Sequence, residues 1–215
     1  MFKFMNLNMI HKNTFVSYQE KFIFPVIENT AAKLLSDARQ RCRGKKVVVL
    51  GDGRNDSPGH CAQYLTYTFM ENDSKDILHV EFMDKRETSL ISVRMEPRAV
   101  QKGLQFLISD AVEVAEFVTD AHSTIAARMR HNHGEIKHSF DVWHGAKNLG
   151  KKLAKASMKA ANRPLANWQQ EVTNHFWFCS RTCKGSMNLF KEKWRGLLHH
   201  VCGKHEWMLG GSTGI

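Results

Sequence analysis

Apolar residues change from helical spacing to strand spacing early in the chain. Residues 30–43 carry apolar side chains at a helical period, which predicts a helix that Gly44 ends. The run of β-branched residues at 47–50 predicts a short strand buried on both faces. Gly51-Asp52-Gly53 closes that strand, so its polar end is expected at Asp52.

Two runs that alternate between apolar and polar residues come next. The turn-rich residues 71–74 separate them, and this arrangement predicts an antiparallel hairpin. Each strand would be half-buried. The side chains expected to face inward are Leu65, Tyr67 and Phe69 in the first run and Leu78, Val80 and Phe82 in the second.

Helices and strands alternate in the following residues. Pro97 opens a predicted helix that reaches about residue 111, and residues 114–118 form a strand that leads to Asp120. A helix at 123–133 and an alternating strand at 136–142 follow. The last two strands are therefore expected to be reached through helical crossovers.

This order of elements predicts an α/β protein with a ribonuclease-H-like mixed sheet. A doubly wound nucleotide-binding fold would place a helix between the early strands and a third glycine after Gly51 and Gly53, and the sequence has neither. We expect a helical lead-in at 1–44, a partial ribonuclease-H-like core at 45–160 and the start of a helical insertion at 161–215.

Composition points to a folded protein with a polyanionic partner. The 215 residues are 42% hydrophobic, and 31 Lys and Arg against 21 Asp and Glu give a net charge of +10. Nucleic acid is therefore the first expected partner and an anionic membrane surface the second. An odd number of cysteines, five, favours an intracellular thiol or metal protein over a disulfide scaffold.

The sequence shows no segment that would direct the chain to a membrane. Its apolar runs are far shorter than the roughly 18 to 20 residues of a membrane span. Lys3 interrupts the apolar N-terminus, and no small-residue cleavage site follows. We therefore expect an intracellular, nuclear protein without a signal peptide or transmembrane segment.

Asp52 and Asp120 each end a predicted strand, and the two strands are neighbours in this topology. Carboxylates at adjacent strand ends can hold Mg²⁺ or Mn²⁺ for phosphodiester cleavage or joining. The alternative is that Asp52 is a turn residue and Asp120 the N-cap of the next helix. A calcium-binding loop starting at Asp52 is excluded because Gln63 stands where its glutamate is required.

Four blocks of the chain resemble a transposase-derived family common in fish and other aquatic animals. They are Gly51–Gly59, Met95-Glu96, Thr119–His122 and Asp141–Asn148, within a resemblance that runs from about Tyr18 to Trp207. The family is similar to ribonuclease-H-like cut-and-paste transposases with an acidic (DDE) triad, distantly related to Mutator-like and hAT-type elements. The resemblance implies that the ancestral activity is DNA transposition.

The resemblance also implies roles for particular residues. Asp52 and Asp120 would be catalytic metal ligands, and Asp141 and His144 would be accessory residues next to the active site. The family's third acidic residue would follow an insertion that has barely begun at Trp207, so we expect the front part of a catalytic domain without strand-transfer activity of its own.

Two other functions are compatible with the same residues. The first is a non-catalytic, host-adopted DNA-binding or scaffold protein that keeps the fold and the basic surface. The second is a metal-dependent nuclease in which another carboxylate completes the site. The candidates for that carboxylate are Glu171, Glu192 and Glu206.

A lysine-rich segment follows the last predicted strand. Lys147, Lys151, Lys155 and Lys159 recur every four residues, with Lys152 beside them, and apolar residues occupy the opposite side of the predicted helix. Such a stripe can lie along a phosphate backbone and bind DNA. The alternative is the solvated face of an ordinary amphipathic helix.

Cysteines and histidines near the C-terminus have the types and approximate spacing of zinc ligands. The candidate set is Cys179, Cys183, His200 and His205, with His199 and Cys202 as substitutes within reach. The alternative is that Cys179 and Cys183 are buried thiols among aromatic residues.

Overall fold

A computed structural model of the chain describes residues 10–58 and 61–204, together with the backbone of 207–209 and 212–214. The chain divides into two compact units. The first contains the described residues up to Thr119 and Ser123–Ser139. The second contains Asp120–His122 and the described residues from Phe140 onward.

The first unit is built from helices and a mixed sheet. Its helices are α1 (Lys12–Tyr18), α2 (Phe24–Cys42), α3 (Met95–Ser109) and α4 (Ser123–Asn132). A π-helical segment, Gln19–Ile23, joins the first two, and short 3₁₀ turns lie at Lys85–Thr88 and Ser92–Arg94. The strands are β1 (Lys46–Asn55), β2 (Tyr64–Glu71), β3 (Ile77–Asp84), β4 (Glu113–Thr119) and β5 (Lys137–Phe140), the last residue of which belongs to the second unit.

The second unit is mainly helical. It contains α5 (Val142–Ser157), a 3₁₀ turn at Ala160–Asn162, α6 (Leu165–Thr182) and α7 (Met187–Val201). Two short antiparallel strands follow, β6 (Trp207–Leu209) and β7 (Ser212–Gly214).

The sheet has the strand order β3-β2-β1-β4-β5. β1 pairs antiparallel with β2 and parallel with β4, and β2 pairs antiparallel with β3. A tight turn is enough for the hairpin, whereas the parallel step from β1 to β4 requires a helical crossover. This is the ribonuclease-H-like mixed sheet that the sequence predicts, so the predicted fold class is confirmed.

Aromatic rings fill the core between the sheet and α3. Tyr67, Phe69 and Phe117 are fully buried, and the ring centroids of Phe69 and Phe117 lie 5.8 Å apart. Gly103 of α3 lies directly against Phe69, because a Cβ atom at that glycine would fall 2.1 Å from the Phe69 ring. The helix can approach the sheet this closely only because residue 103 has no side chain.

β1 is longer than predicted, and Asp52 lies inside it rather than after its end. The parallel pairing with β4 ends at Leu50 opposite Val118, but the antiparallel pairing with β2 continues to Asn55 opposite Leu65. The glycines at 51 and 53 were expected to end the strand. They instead lie against the Tyr67 ring, which passes close to the β1 backbone. The prediction that the strand is buried on both faces is also wrong, because Val48 and Leu50 are only half-buried.

The predicted inward face of β3 is wrong for Phe82, whose surface is 72% exposed. Leu65 pairs with Met83, so Met83 shares the buried face of Leu65. Phe82 pairs with Thr66 on the opposite face. A shift of register beside Phe69 changes the alternation along β3, and such a bulge leaves no mark in the apolar pattern.

Helix boundaries also differ from the prediction. α2 starts at Phe24 rather than near residue 30. β5 stops at Phe140, and Val142 is already the first residue of α5 because Asp141 caps that helix. α5 ends at Ser157, so Lys159 lies outside the helix on which it was predicted. Among the described residues, no helix is both long enough and apolar enough to cross a bilayer.

Candidate metal centre

Asp120 follows the last residue of β4. Thr119, which ends the strand, is buried, and the backbone N–H of His122 donates to the carbonyl oxygen of Asp120 at 2.7 Å. The chain therefore turns immediately after the strand. This places Asp120 at the carboxyl end of β4, a strand that is not at the edge of the sheet, and α/β proteins commonly bind ligands at such strand ends.

Asp141 is the N-cap of α5. Its Oδ1 atom accepts a hydrogen bond of 2.9 Å from the backbone N–H of Trp143. The positive end of the helix dipole favours a carboxylate at this position. His144 follows three residues later and lies on the same side of the first turn as Asp141.

The imidazole of His144 joins these two carboxylates. Its Nδ1 atom lies 2.5 Å from Oδ1 of Asp120 and 2.8 Å from Oδ2 of Asp141. One ligand atom from each of the three residues falls within 4.8 Å of the others. All three side chains are partly exposed, at 42%, 40% and 30% for Asp120, Asp141 and His144, so the cluster is open to solvent and to a substrate.

The donor set of this cluster fits a divalent cation. Two carboxylates converge on a ring nitrogen that can carry only one hydrogen, and a divalent ion would balance their charge. Carboxylate oxygens suit Mg²⁺ and Mn²⁺, and the imidazole of His144 adds a nitrogen ligand of the kind that transition metals bind. His122 lies two residues after Asp120, and its Nδ1 atom is buried without a hydrogen-bond partner among the described residues.

Asp52 lies in the first unit, whereas Asp120, Asp141 and His144 lie in the second. Its side chain is exposed, and the residue pairs with Thr68 across β1 and β2. The joint binding of one metal by Asp52 and Asp120 therefore stays a prediction.

Glu96 belongs to Met95-Glu96, one of the four blocks that resemble the transposase-derived family. Its side chain lies near β1, on the opposite face of the sheet from Asp52. A Cβ atom at Gly53 would lie 3.4 Å from Cγ of Glu96. Successive side chains of a strand point to opposite faces of the sheet. Asp52 therefore faces the side of the sheet away from Glu96.

Three of the predicted DNA-binding lysines form a stripe on α5. Lys147, Lys151 and Lys155 are exposed at intervals of four residues, and Lys152 is an exposed neighbour. The Nζ atom of Lys147 lies 4.6 Å from the ring centroid of Trp143. Lys159 is exposed but belongs to the segment after the helix.

The predicted zinc ligands are described only in part. Cys179 is fully buried, and burial raises the pKa of its thiol, which disfavours the thiolate that zinc requires. Cys183 donates to the carbonyl oxygen of Ser180 at 3.3 Å, and His200 is exposed. In the described part of the chain these residues form no cluster of metal ligands, and His205 lies outside it. The zinc site stays a prediction.

From the sequence, Asp141 and His144 are expected only as accessory residues next to the active site. The structure brings both to Asp120. A signal for this was present, because an aspartate at a helix start and a histidine three residues on occupy one face. The alternating pattern of the sequence extends the preceding strand to residue 142. In the structure, that residue is already the first of α5, so the sequence did not reveal where the helix starts.

Comparisons with known proteins find similarity to solved structures. No protein-family model matches the chain, and no curated protein matches it. Among solved structures, the chain is similar to the trimeric form of the HTLV-2 integrase catalytic core domain in complex with magnesium. The two sequences are 19% identical, the match covers 59% of this chain and 81% of that chain, and the TM-score is 0.29. The dimeric form of the same domain shows 17% identity, coverage of 61% and 87%, and a TM-score of 0.28. The fold assignment rests on the strand order rather than on these likenesses.

Proposed function

We propose that this chain is a metal-binding, DNA-binding domain of the DDE-type transposase and integrase class, derived from a cut-and-paste transposase. The observation that supports this most directly is the cluster of Asp120, Asp141 and His144 at the carboxyl end of β4 in a ribonuclease-H-like sheet. The residues that would hold Mg²⁺ or Mn²⁺ are these three, with Asp52 as a further ligand. Such an ion, when bound, polarises a phosphodiester and activates the attacking oxygen.

The chain's own residues prepare this cluster in different ways. The backbone N–H of Trp143, in the first turn of α5, donates a hydrogen bond to the Asp141 carboxylate. The start of α5 itself therefore orients this carboxylate. His144 holds Asp120 and Asp141 close together through one ring nitrogen. The site is therefore ordered before a substrate or a cation arrives, which reduces the ordering cost of binding.

The net charge and the lysine stripe support DNA as the substrate class. The chain carries a net charge of +10, and exposed lysines follow α5 away from the cluster at its N-terminus. Lysines on one helix face can track a phosphate backbone without reading bases. We therefore expect weakly sequence-selective binding and a nuclear location.

A second candidate function is DNA binding without catalysis. It is favoured by the small number of carboxylates in the cluster, since only Asp120 and Asp141 are acidic. Neither Glu171 nor Glu192 belongs to any metal-ligand cluster in the described part of the chain, and Glu206 lies outside it. With too few carboxylates a second cation is poorly held, which raises the barrier to in-line attack.

An assay of DNA cleavage and joining separates the two functions. The full chain is incubated with Mn²⁺ and a labelled duplex, and the same assay is run with Asp120→Asn and with the exposed control Glu135→Gln. Nicking or joining that Asp120→Asn abolishes and Glu135→Gln retains supports a catalytic domain. Binding without cleavage supports the second candidate. Cleavage that persists in Asp120→Asn contradicts the assignment of the site.

A further inference from the structure

A groove of about 520 Å³ runs between α5 and α6 in the second unit. Trp143, Lys147 and Lys151 line it on the α5 side, and Gln169, Thr173 and Trp177 line it on the α6 side. Its volume is within the range of clefts that bind small organic ligands. Nothing in the proposed metal chemistry uses these residues.

Small residues make the floor of the groove. Ala146, Gly150 and Ala154 lie at intervals of four residues on α5 and all line the groove. The helices run antiparallel here, because Gly145 packs against Phe176 while Gly150 packs against Gln169. Trp143 and Trp177 therefore lie at the same end of the groove, one from each helix.

Each tryptophan ring has a cation over it. Lys147 Nζ lies 4.6 Å from the centroid of Trp143, and the guanidinium carbon of Arg181 lies 5.6 Å from that of Trp177. Trp143 is 52% exposed, which is unusual for so large an apolar side chain. Cation–π contacts hold one positive charge over a face of each ring, so a planar ligand would stack on the opposite face.

The groove carries positive charge without acidic groups. None of its lining residues is a carboxylic acid, and no carboxylate in the described part of the chain lies within ion-pair distance of Lys147 or Lys151. An anionic ligand is therefore favoured over a cationic or neutral one. Exposed aromatic rings combined with lysines are the chemistry that binds single-stranded nucleic acid, through stacked bases and paired phosphates.

We propose that this groove binds an unpaired nucleic-acid strand, with bases stacked on Trp143 and Trp177 and phosphates held by Lys147 and Lys151. A duplex keeps its base faces inside the stack, so side chains can stack only on bases that are unpaired or turned out. The groove therefore selects single-stranded over double-stranded nucleic acid. This inference goes beyond the proposed function, because it assigns unpaired bases to a groove with two tryptophans, whereas the lysine stripe of α5 is proposed only to follow a phosphate backbone.

The test measures binding of the full chain to a labelled oligothymidine and to a labelled duplex of equal length by fluorescence anisotropy. EDTA is present throughout, so the outcome does not depend on the metal centre. Trp177→Ala and Trp143→Ala are compared with Trp168→Ala, an exposed tryptophan of α6 that does not line the groove. Lys151→Ala is compared with Lys191→Ala, an exposed lysine of α7 that does not line the groove.

We expect the single strand to bind more tightly than the duplex. Each groove tryptophan variant should weaken single-strand binding by about 5- to 150-fold, the range of base–aromatic stacking, while Trp168→Ala stays near wild type. Trp143→Phe and Trp177→Phe should restore much of the affinity, because a phenyl ring still stacks. If an alanine variant fails to fold, the lysine comparison still decides the question, because Lys151→Ala should weaken single-strand binding and Lys191→Ala should not.

Three results would overturn the inference. The first is equal affinity for single strand and duplex, and the second is single-strand binding unchanged in both groove tryptophan variants. The third is evidence that the groove joins two copies of this chain. Sedimentation would then show a dimer that Trp143→Ala and Trp177→Ala dissociate, while both variants still bind the oligonucleotide like the wild type.

Discussion

Nδ1 of His144 lies 2.5 Å from Oδ1 of Asp120, although 23 residues separate them in the chain. One belongs to the first turn of α5 and the other follows β4. The contact brings a ring nitrogen and a carboxylate to one point, and Asp141 adds a second carboxylate there.

Metal affinity tests this cluster directly. Asp120→Asn and Asp141→Asn should each weaken Mn²⁺ binding by about tenfold or more in calorimetry, because each removes a charged ligand. Asparagine still caps a helix, so Asp141→Asn should leave the thermal stability of the metal-free protein nearly unchanged. Wild-type Mn²⁺ affinity in both variants would show that the site is misassigned.

Asp52→Asn provides a separate measurement in the same titration. A loss of Mn²⁺ affinity comparable to that of Asp120→Asn is expected if Asp52 is a further ligand. The exposed control Glu135→Gln should bind Mn²⁺ like the wild type, since Glu135 lies in the first unit, where its Oε1 atom is 3.6 Å from Nδ1 of His133. An unchanged affinity in Asp52→Asn would remove Asp52 from the metal site and leave the other three residues in place.

The lysines of α5 should determine how duplex binding depends on salt. Removing Lys151 and Lys155 together should lower the slope of log affinity against log salt concentration by about 2, because each phosphate contact releases about one counterion. Lys33→Ala with Lys45→Ala makes the same change of charge at exposed positions of the first unit. If both pairs lower the slope equally, the effect comes from net charge and not from α5.

His138 should make the folded protein less stable in mild acid. Burial, and after it the positive charge of Arg130, lowers the pKa of His138 below its ordinary value of about 6.5. The unfolded chain then binds a proton at a higher pH than the folded chain. The stability that neutral His138 contributes is therefore complete above the unfolded pKa of about 6.5. It decreases as the pH falls through that value toward the lower pKa of the folded protein.

Denaturant titrations between pH 8 and pH 5 measure this effect. The free energy of unfolding of His138→Gln should fall less than that of the wild type over this interval. His131→Gln, at an exposed position, should follow the wild type. An identical pH dependence in His138→Gln and the wild type would show that His138 does not titrate differently on folding.

Gly103 should be intolerant of even one added methyl group. An alanine Cβ there would fall 2.1 Å from the Phe69 ring, which is held by Tyr67 and Phe117 and cannot retreat. Gly103→Ala should lower the free energy of unfolding by about 1–3 kcal/mol, despite the better helix propensity of alanine. Gly134→Ala is the control, since its Cβ would meet nothing closer than 3.7 Å. A Gly103→Ala protein as stable as the wild type would show that the core can repack.

Local sequence determined most of the elements and their order. Residues 114–118 predict β4, and the spacing of residues 123–133 predicts α4, because periods of two and of 3.6 residues are local properties of the chain. The hairpin, the helical crossovers and thus the ribonuclease-H-like strand order follow from those elements. The sequence also singled out Asp120, since a strand end is visible locally.

Tertiary structure decided where each strand ends and which of its faces is buried. β1 continues through Gly51 and Gly53 because β2 pairs with it, and Phe82 is exposed because Leu65 pairs with Met83. Both outcomes depend on a partner strand, which no local pattern records. The same holds for the contact between Asp120 and His144, because residue types alone do not encode the distance between two residues far apart in the chain.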